Sequence, residues 1–117
     1  MGDIIYIASP YSNPDKVIRE NNFKLVSILA SDLCSKGYVA FSPITYGHVL
    51  VDYKEMPTDW DFWENFCLSF LKVSSELWVF EMEGWDRSKG VSREIKYAIE
   101  NNIKIRYIKP HEFPNVK

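Results

Sequence analysis

Cysteine is scarce in this chain. Its 117 residues include two, Cys34 and Cys67. Their separation matches no metal-binding spacing, and both fall in helix-like apolar runs. Both are therefore expected to be reduced core residues rather than redox groups. No block or stripe of basic residues is present either. Fourteen Lys and Arg against sixteen Asp and Glu leave a net charge of -2, which gives no footprint for a nucleic acid polymer. No apolar run is long enough to span a bilayer, and the first residues enter a strand pattern rather than a signal-peptide pattern. A soluble cytoplasmic protein with no membrane partner is the expectation. Internal repeats, low-complexity segments and linkers are lacking too. A single domain over residues 1–117 follows, and 46% hydrophobic and 15% aromatic residues are enough to build its core.

What is present is an alternation of strand and helix patterns. "DIIYIA", Asp3 to Ala8, is a β-rich apolar run without strict polar alternation, as expected of a parallel strand covered on both faces. The turn "SPYS" follows. Asn13 then reads as a helix cap with Pro14 in the first turn, apolar residues recur at helical spacing to Leu33, and Gly37 closes the helix. "YVAFS", Tyr38 to Ser42, is a second strand. "PITYGHVLVDYKEMP" reads as a long connection of undefined structure. Thr58 with Asp61 resembles a capping box, and Trp63, Phe66, Phe70 and Val73 mark a second helix. Leu77 to Met82 is a third strand, Val91 to Asn101 a third helix, Ile103 to Ile108 a fourth strand, and "KPHEFP" a tail. The order βα, βα, βα, β implies right-handed crossovers and a parallel sheet.

Ligands of such sheets bind beyond the carboxyl ends of the strands, near the switch in strand order. Three loops are expected to meet there: "SPYS" with Ser9, Pro10 and Tyr11, "PITYGH" with Tyr46 and His48, and "EGWDRSKG" with Trp85, Asp86, Ser88 and Gly90. Ser88 and Gly90 stand where a helix begins. Unpaired N–H groups, a serine hydroxyl and a glycine that allows close approach make a phosphate seat or, equally, an ordinary helix cap. Glu94 reads as a residue of the helix's opening turn, where the dipole favours its ionised form. It is a candidate nucleophile for an anomeric carbon or a plain first-turn acid. Tyr6, mid-strand, is either a core residue or the group that orients Glu94. Trp85 either covers a base or sugar or anchors its loop. His48 reads a base edge, shuttles a proton or is structural. Asp59, Asp61 and Glu64 open the second helix as a solvated, dipole-matched start, or supply a proton donor.

The pair "IYIASPYS" and "SxGVxxExxxA", the latter spanning Ser88 to Ala98, resembles the nucleoside 2-deoxyribosyltransferase-like superfamily of deoxyribosyltransferases and nucleoside 5'-monophosphate N-glycosidases. The short "GW"-plus-"SxG" form is similar to small phage and bacterial members. The resemblance covers nearly the whole chain in element order. It implies a flavodoxin-like α/β sandwich with a small parallel sheet of four to five strands. It also implies a nucleophilic Glu94 that forms a glycosyl-enzyme and is held by Tyr6. Ser88 matches the serine that binds a 5'-phosphate, where transferases acting on free nucleosides commonly carry an aspartate. No metal or organic cofactor is implied, and a homodimer or higher homo-oligomer is. One departure stands out: the family's second catalytic carboxylate lies on the helix before the third strand, where this chain reads "NFCLSFLKVSSE". Asp61, a neighbouring acid or His48 is left to serve the leaving base. The expectation is an enzyme that cleaves or transfers the N-glycosidic bond of a nucleoside 5'-monophosphate. The rival is a non-catalytic nucleotide-binding or sequestering protein, which the departure favours.

Overall fold

The computed structural model describes residues 3–112, so Phe113 and Pro114 of the tail lie outside the described residues. Four strands and four α-helices follow in the order β1 (Ile4–Ala8), α1 (Lys16–Ser35), β2 (Val39–Phe41), α2 (Pro43–Tyr53), α3 (Trp60–Lys72), β3 (Glu76–Phe80), α4 (Lys89–Glu100) and β4 (Lys104–Ile108). All strand pairs are parallel, and the sheet order is β2-β1-β3-β4. This is a flavodoxin-like three-layer arrangement. Chain direction across the sheet reverses at β1, and right-handed crossovers then put α1 on one face and α3 and α4 on the other.

Alternation along the strands builds the two faces. Ile5 and Ile7 of β1 and Trp78 and Phe80 of β3 pack against Val26, Leu29 and Leu33 of α1. Tyr6, Ala8, Leu77 and Val79 point the other way, onto Cys67 and Leu71 of α3 and Val91 and Ala98 of α4. Ile7, Leu29, Leu71 and Phe80 are completely enclosed, and each such side chain contributes about 1.5–3 kcal/mol through burial. No helix among the described residues is long and apolar enough to cross a membrane.

Three local expectations are corrected. The cap of α1 is Asp15, whose Oδ1 accepts from the Val17 N–H at 2.8 Å. Asn13 is occupied one step earlier, accepting from the Asp15 N–H at 2.9 Å in an Asx turn. The segment after β2 is not an undefined connection but helix α2, with Ser42 as cap accepting from Thr45 N–H at 3.1 Å and Pro43 at its start. Its Val, Tyr, Thr and Gly content gives weak helix propensity. Packing on α1 compensates, through the Ser27–Thr45 hydroxyl pair at 2.8 Å. The Thr58–Asp61 capping box does not form. Asp59 sits at the cap of α3 without a side-chain bond, the Thr58 carbonyl accepts from Ser12, and Asp61 turns to Lys89. The end of α1 follows expectation: Gly37 adopts φ +92, and Tyr38 N–H closes on Leu33 O at 3.1 Å, a Schellman stop. A fourth expectation fails in part: Cys34 is not a core residue but lies exposed at that end, while Cys67 is in the core.

Candidate active site

Helix α4 begins at Lys89, two residues before the sequence pattern suggested, with Ser88 as its cap. Glu94 is thereby in the second turn, not the first. Val91, Glu94 and Ala98 form the buried face of α4, spaced at helical intervals. A carboxylate thus sits within an apolar stripe, only 4% exposed. The β1 alternation turns Tyr6 to the same face, and its phenolic hydroxyl donates to Glu94 Oε2. The Cys67 thiol of α3 completes the group.

Electrostatics here reverse the simple helix-dipole expectation. Burial pushes the Glu94 carboxyl up to about 8, with only the Tyr6 hydroxyl pulling it down. No cation offsets the loss of water, and one turn into the helix the free N–H groups are already spent. The thiol of Cys67 is pushed up to about 12, by burial first and then by Glu94. The Tyr6 phenol lies well above its usual range for the same two reasons.

Glu94 and Cys67 open onto a cavity of about 310 Å³. Its walls come from the loop after β1 (Ser9, Tyr11, Ser12), from α2 (Gly47, His48), from the start of α3 (Trp60, Asp61) and from the start of α4 (Arg87, Ser88, Lys89, Gly90). This is the β1/β3 switch point of the sheet. Two buried polar atoms that belong to wall residues, Ser9 Oγ and Trp60 Nε1, have no hydrogen-bond partner among the described residues. Such atoms are uncommon in folded proteins, because an unpaired buried group costs about 1–3 kcal/mol. In a cavity wall they are sites a ligand can satisfy.

Ser88 Oγ accepts from the Val91 N–H at 3.2 Å, which leaves its own hydrogen free to donate. Gly84 at φ +90 starts the tight 3-10 turn Trp85–Arg87 that delivers the chain to this cap. Gly90 lines the cavity, but its lack of a side chain serves packing: an added Cβ would meet Trp60 Cε3 at 2.9 Å. Asp61 stands at the rim, largely exposed, with its Oδ1 bound to Lys89 Nζ at 2.8 Å.

Four sequence candidates are not brought into the wall. Trp85 packs edge-on against Tyr107 at 5.8 Å and anchors its loop. Asp86 is exposed beside Arg87. Tyr46 stacks on Phe66 at 5.9 Å on the outer side of α2. Pro10 faces a second, adjoining cleft with Asn13, Met82 and Gly84, which shares Ser12, Arg87 and Ser88 with the first.

The comparison with known families covers almost the whole fold, with residues 3–108 matching the model of the domain of unknown function DUF1937. The chain belongs to the DUF1937 family. No curated protein matches it. In this DUF1937 domain, sequence reasoning passed over Trp60, Cys67 and Glu20. Trp60 lies before Trp63, the first residue that marked its helix in the sequence. Cys67 lies within the stretch where an aspartate was sought. Glu20 sits in the middle of a long helix with no local signal, and its relevance depends on α2 being a helix.

Proposed function

We propose that this DUF1937 domain breaks the N-glycosidic bond of a nucleoside 5'-monophosphate, with Glu94 as nucleophile. The observation that carries the reading is the Tyr6–Glu94 pair, whose carboxylate lines a cavity that the amino end of α4 also walls. The resemblance of "IYIASPYS" and "SxGVxxExxxA" to deoxyribosyltransferases and monophosphate N-glycosidases supports it. The phosphate is held by the free N–H groups of α4, the Ser88 hydroxyl and the charges of Arg87 and Lys89. The sugar then lies inward, with C1' toward Glu94.

In the first step the Glu94 carboxylate forms a C1'–O bond as the C1'–N bond breaks, and the base departs with a proton. Water then attacks C1', releasing the sugar phosphate and regenerating Glu94; a second base in place of water gives transfer. Tyr6 holds the carboxylate in place. The developing positive charge on the sugar favours the ionised carboxylate, which opposes the effect of burial. Self-association and a cytoplasmic setting belong to the same proposal.

Incubating the protein with a panel of deoxy- and ribonucleoside monophosphates and measuring free base by chromatography tests it. Base release that disappears in Glu94→Ala supports the reading, and no release from any nucleotide overturns it. One observation favours a second reading, nucleotide binding without catalysis. With its carboxyl pushed up to about 8, Glu94 keeps its proton at neutral pH until a ligand shifts it. Binding detected by calorimetry without base release decides for that alternative.

A further inference from the structure

A second polar chain, built from the loop after β1, α2 and α1, reaches the same cavity. Tyr11, in the loop after β1, and His48 of α2 both line the wall. The Tyr11 hydroxyl lies 2.6 Å from His48 Nδ1, and His48 Nε2 lies 2.9 Å from Glu20 Oε2 of α1. Phe23 stacks on the imidazole at 4.1 Å, and His48 is buried, at 7% exposure. Position and orientation are thus held on three sides.

The hydrogen-bond roles follow. An ionised Glu20 can only accept, so Nε2 carries a hydrogen. Nδ1 then accepts from Tyr11 in the neutral ring and donates to it in the imidazolium. In the second state the phenolic hydrogen is free to point at a ligand. Burial raises the Tyr11 phenol, with Arg19 opposing, so the hydroxyl keeps its hydrogen at neutral pH. The other groups near the nucleophile are less suited to give a proton. Cys67 is a thiol set against Tyr6 and Glu94, the pair that holds the nucleophile itself, and the carboxylate of Asp61 is bound to Lys89.

We propose that Tyr11 is the general acid for the departing base, with His48 resupplying its proton and Glu20 acting as the positioning residue that holds the ring through Nε2. This rests on the glycosidic reading above and names the group it leaves open. As the C1'–N bond breaks, its electron pair stays on the base nitrogen, which takes the Tyr11 proton. Tyr11 takes the Nδ1 proton and His48 becomes neutral. When water attacks C1', its released proton returns through Tyr11 to His48, and Glu94 leaves as a carboxylate. The cycle balances without any further reactant.

The test compares leaving groups. One substrate is the nucleoside monophosphate that the wild type cleaves best. The other is 4-nitrophenyl 2-deoxyriboside 5-phosphate, whose leaving group departs without a proton. Tyr11→Phe is expected to lower kcat about 10²–10³-fold on the nucleotide, the usual scale for losing a general acid, and at least tenfold less on the nitrophenyl substrate. Glu20→Gln, which keeps side-chain shape, is expected to show the same selectivity at smaller magnitude. Thermal melts check that both variants fold. Equal losses on both substrates overturn the relay while leaving the glycosidase reading intact. A wild type that acts on neither substrate overturns both.

Discussion

Tyr6 on β1 donates its phenolic hydrogen to Glu94 on α4 across 88 positions of sequence, and this bond ties the sheet to the buried stripe of that helix. It arises from two periodicities that coincide. Residue 6 falls on the α4 side of the strand, and residue 94 falls on the sheet side of the helix. A one-residue slip in β1 would send the phenol to α1. The bond holds a group that burial would otherwise leave unpaired.

Stability is expected to fall as pH rises, and Glu94 is the reason. A folded-state value of about 8 against an ordinary value of 4.5 means that the folded chain holds a proton the unfolded chain has lost. The penalty is absent below about pH 4.5, grows between the two values and is complete above about 8. Urea unfolding at pH 5 and pH 8 is expected to show the decline. Glu94→Gln should flatten it and raise stability at pH 8 by roughly 2–4 kcal/mol, the scale of removing a buried charge. Tyr6 and Cys67, both raised above their usual ranges, stay protonated across this window. An unchanged slope in Glu94→Gln would locate the effect elsewhere.

The same group sets the pH profile of catalysis in the opposite direction. A nucleophile must be ionised, so Glu94 is expected to give kcat/KM a limb that rises with pH towards about 8. Tyr6→Phe removes the hydrogen bond that lowers the Glu94 carboxyl, so its rising limb should move to higher pH and its rate at pH 7 should drop about 10–100-fold. A profile unmoved in Tyr6→Phe would show that Glu94 is not the titrating group.

Ser88 has two duties that substitutions can separate. Ser88→Asp preserves the cap of α4, since aspartate caps helices as well as serine does, but places a negative charge in the proposed phosphate seat. Its melting temperature is expected to stay near that of the wild type. Its affinity for a nucleoside monophosphate is expected to fall at least about tenfold more than for the free nucleoside. Isothermal titration with both ligands measures this, and equal losses would argue against a phosphate at α4.

Gly90 is expected to be intolerant for reasons of packing. In Gly90→Ala the new Cβ meets the Trp60 ring at 2.9 Å, and the ring has the α3 core behind it. Overpacking of this kind costs about 1–3 kcal/mol. Because Trp60 also walls the cavity, ligand affinity should fall with stability. A thermal shift indistinguishable from wild type would mean that Trp60 yields freely.

Much of the architecture was legible in the chain. The unalternating apolar run around Tyr6 announced a strand covered on both faces, and the helices between successive strands implied a parallel sheet with its ligand edge. Helix α2 was not legible: its residues favour strands and turns, and contacts with α1 through Thr45 and His48 and with α3 through Tyr46 support the helix. Overlooking α2 hid the Glu20–His48–Tyr11 chain, whose members are 9 and 28 positions apart along the sequence. Tyr46 and Trp85 show the converse. Both are aromatic and close in sequence to the cavity, but helix phase turns Tyr46 outward, and a 3-10 turn lays Trp85 against Tyr107.

By itself, the sequence determined the order of the strands and of three of the four helices, the parallel sheet and the candidacy of Glu94, Tyr6 and Ser88. Those follow from periodicity and capping, which act over a few residues. Tertiary structure alone decided that Glu94 lies in the second turn and is buried, that its proton is held tightly, that Gly90 makes room for Trp60 and that Tyr11, His48 and Glu20 form one chain. Each of these depends on how much water is excluded and which distant side chains meet, and both are properties of packing between elements rather than of any segment.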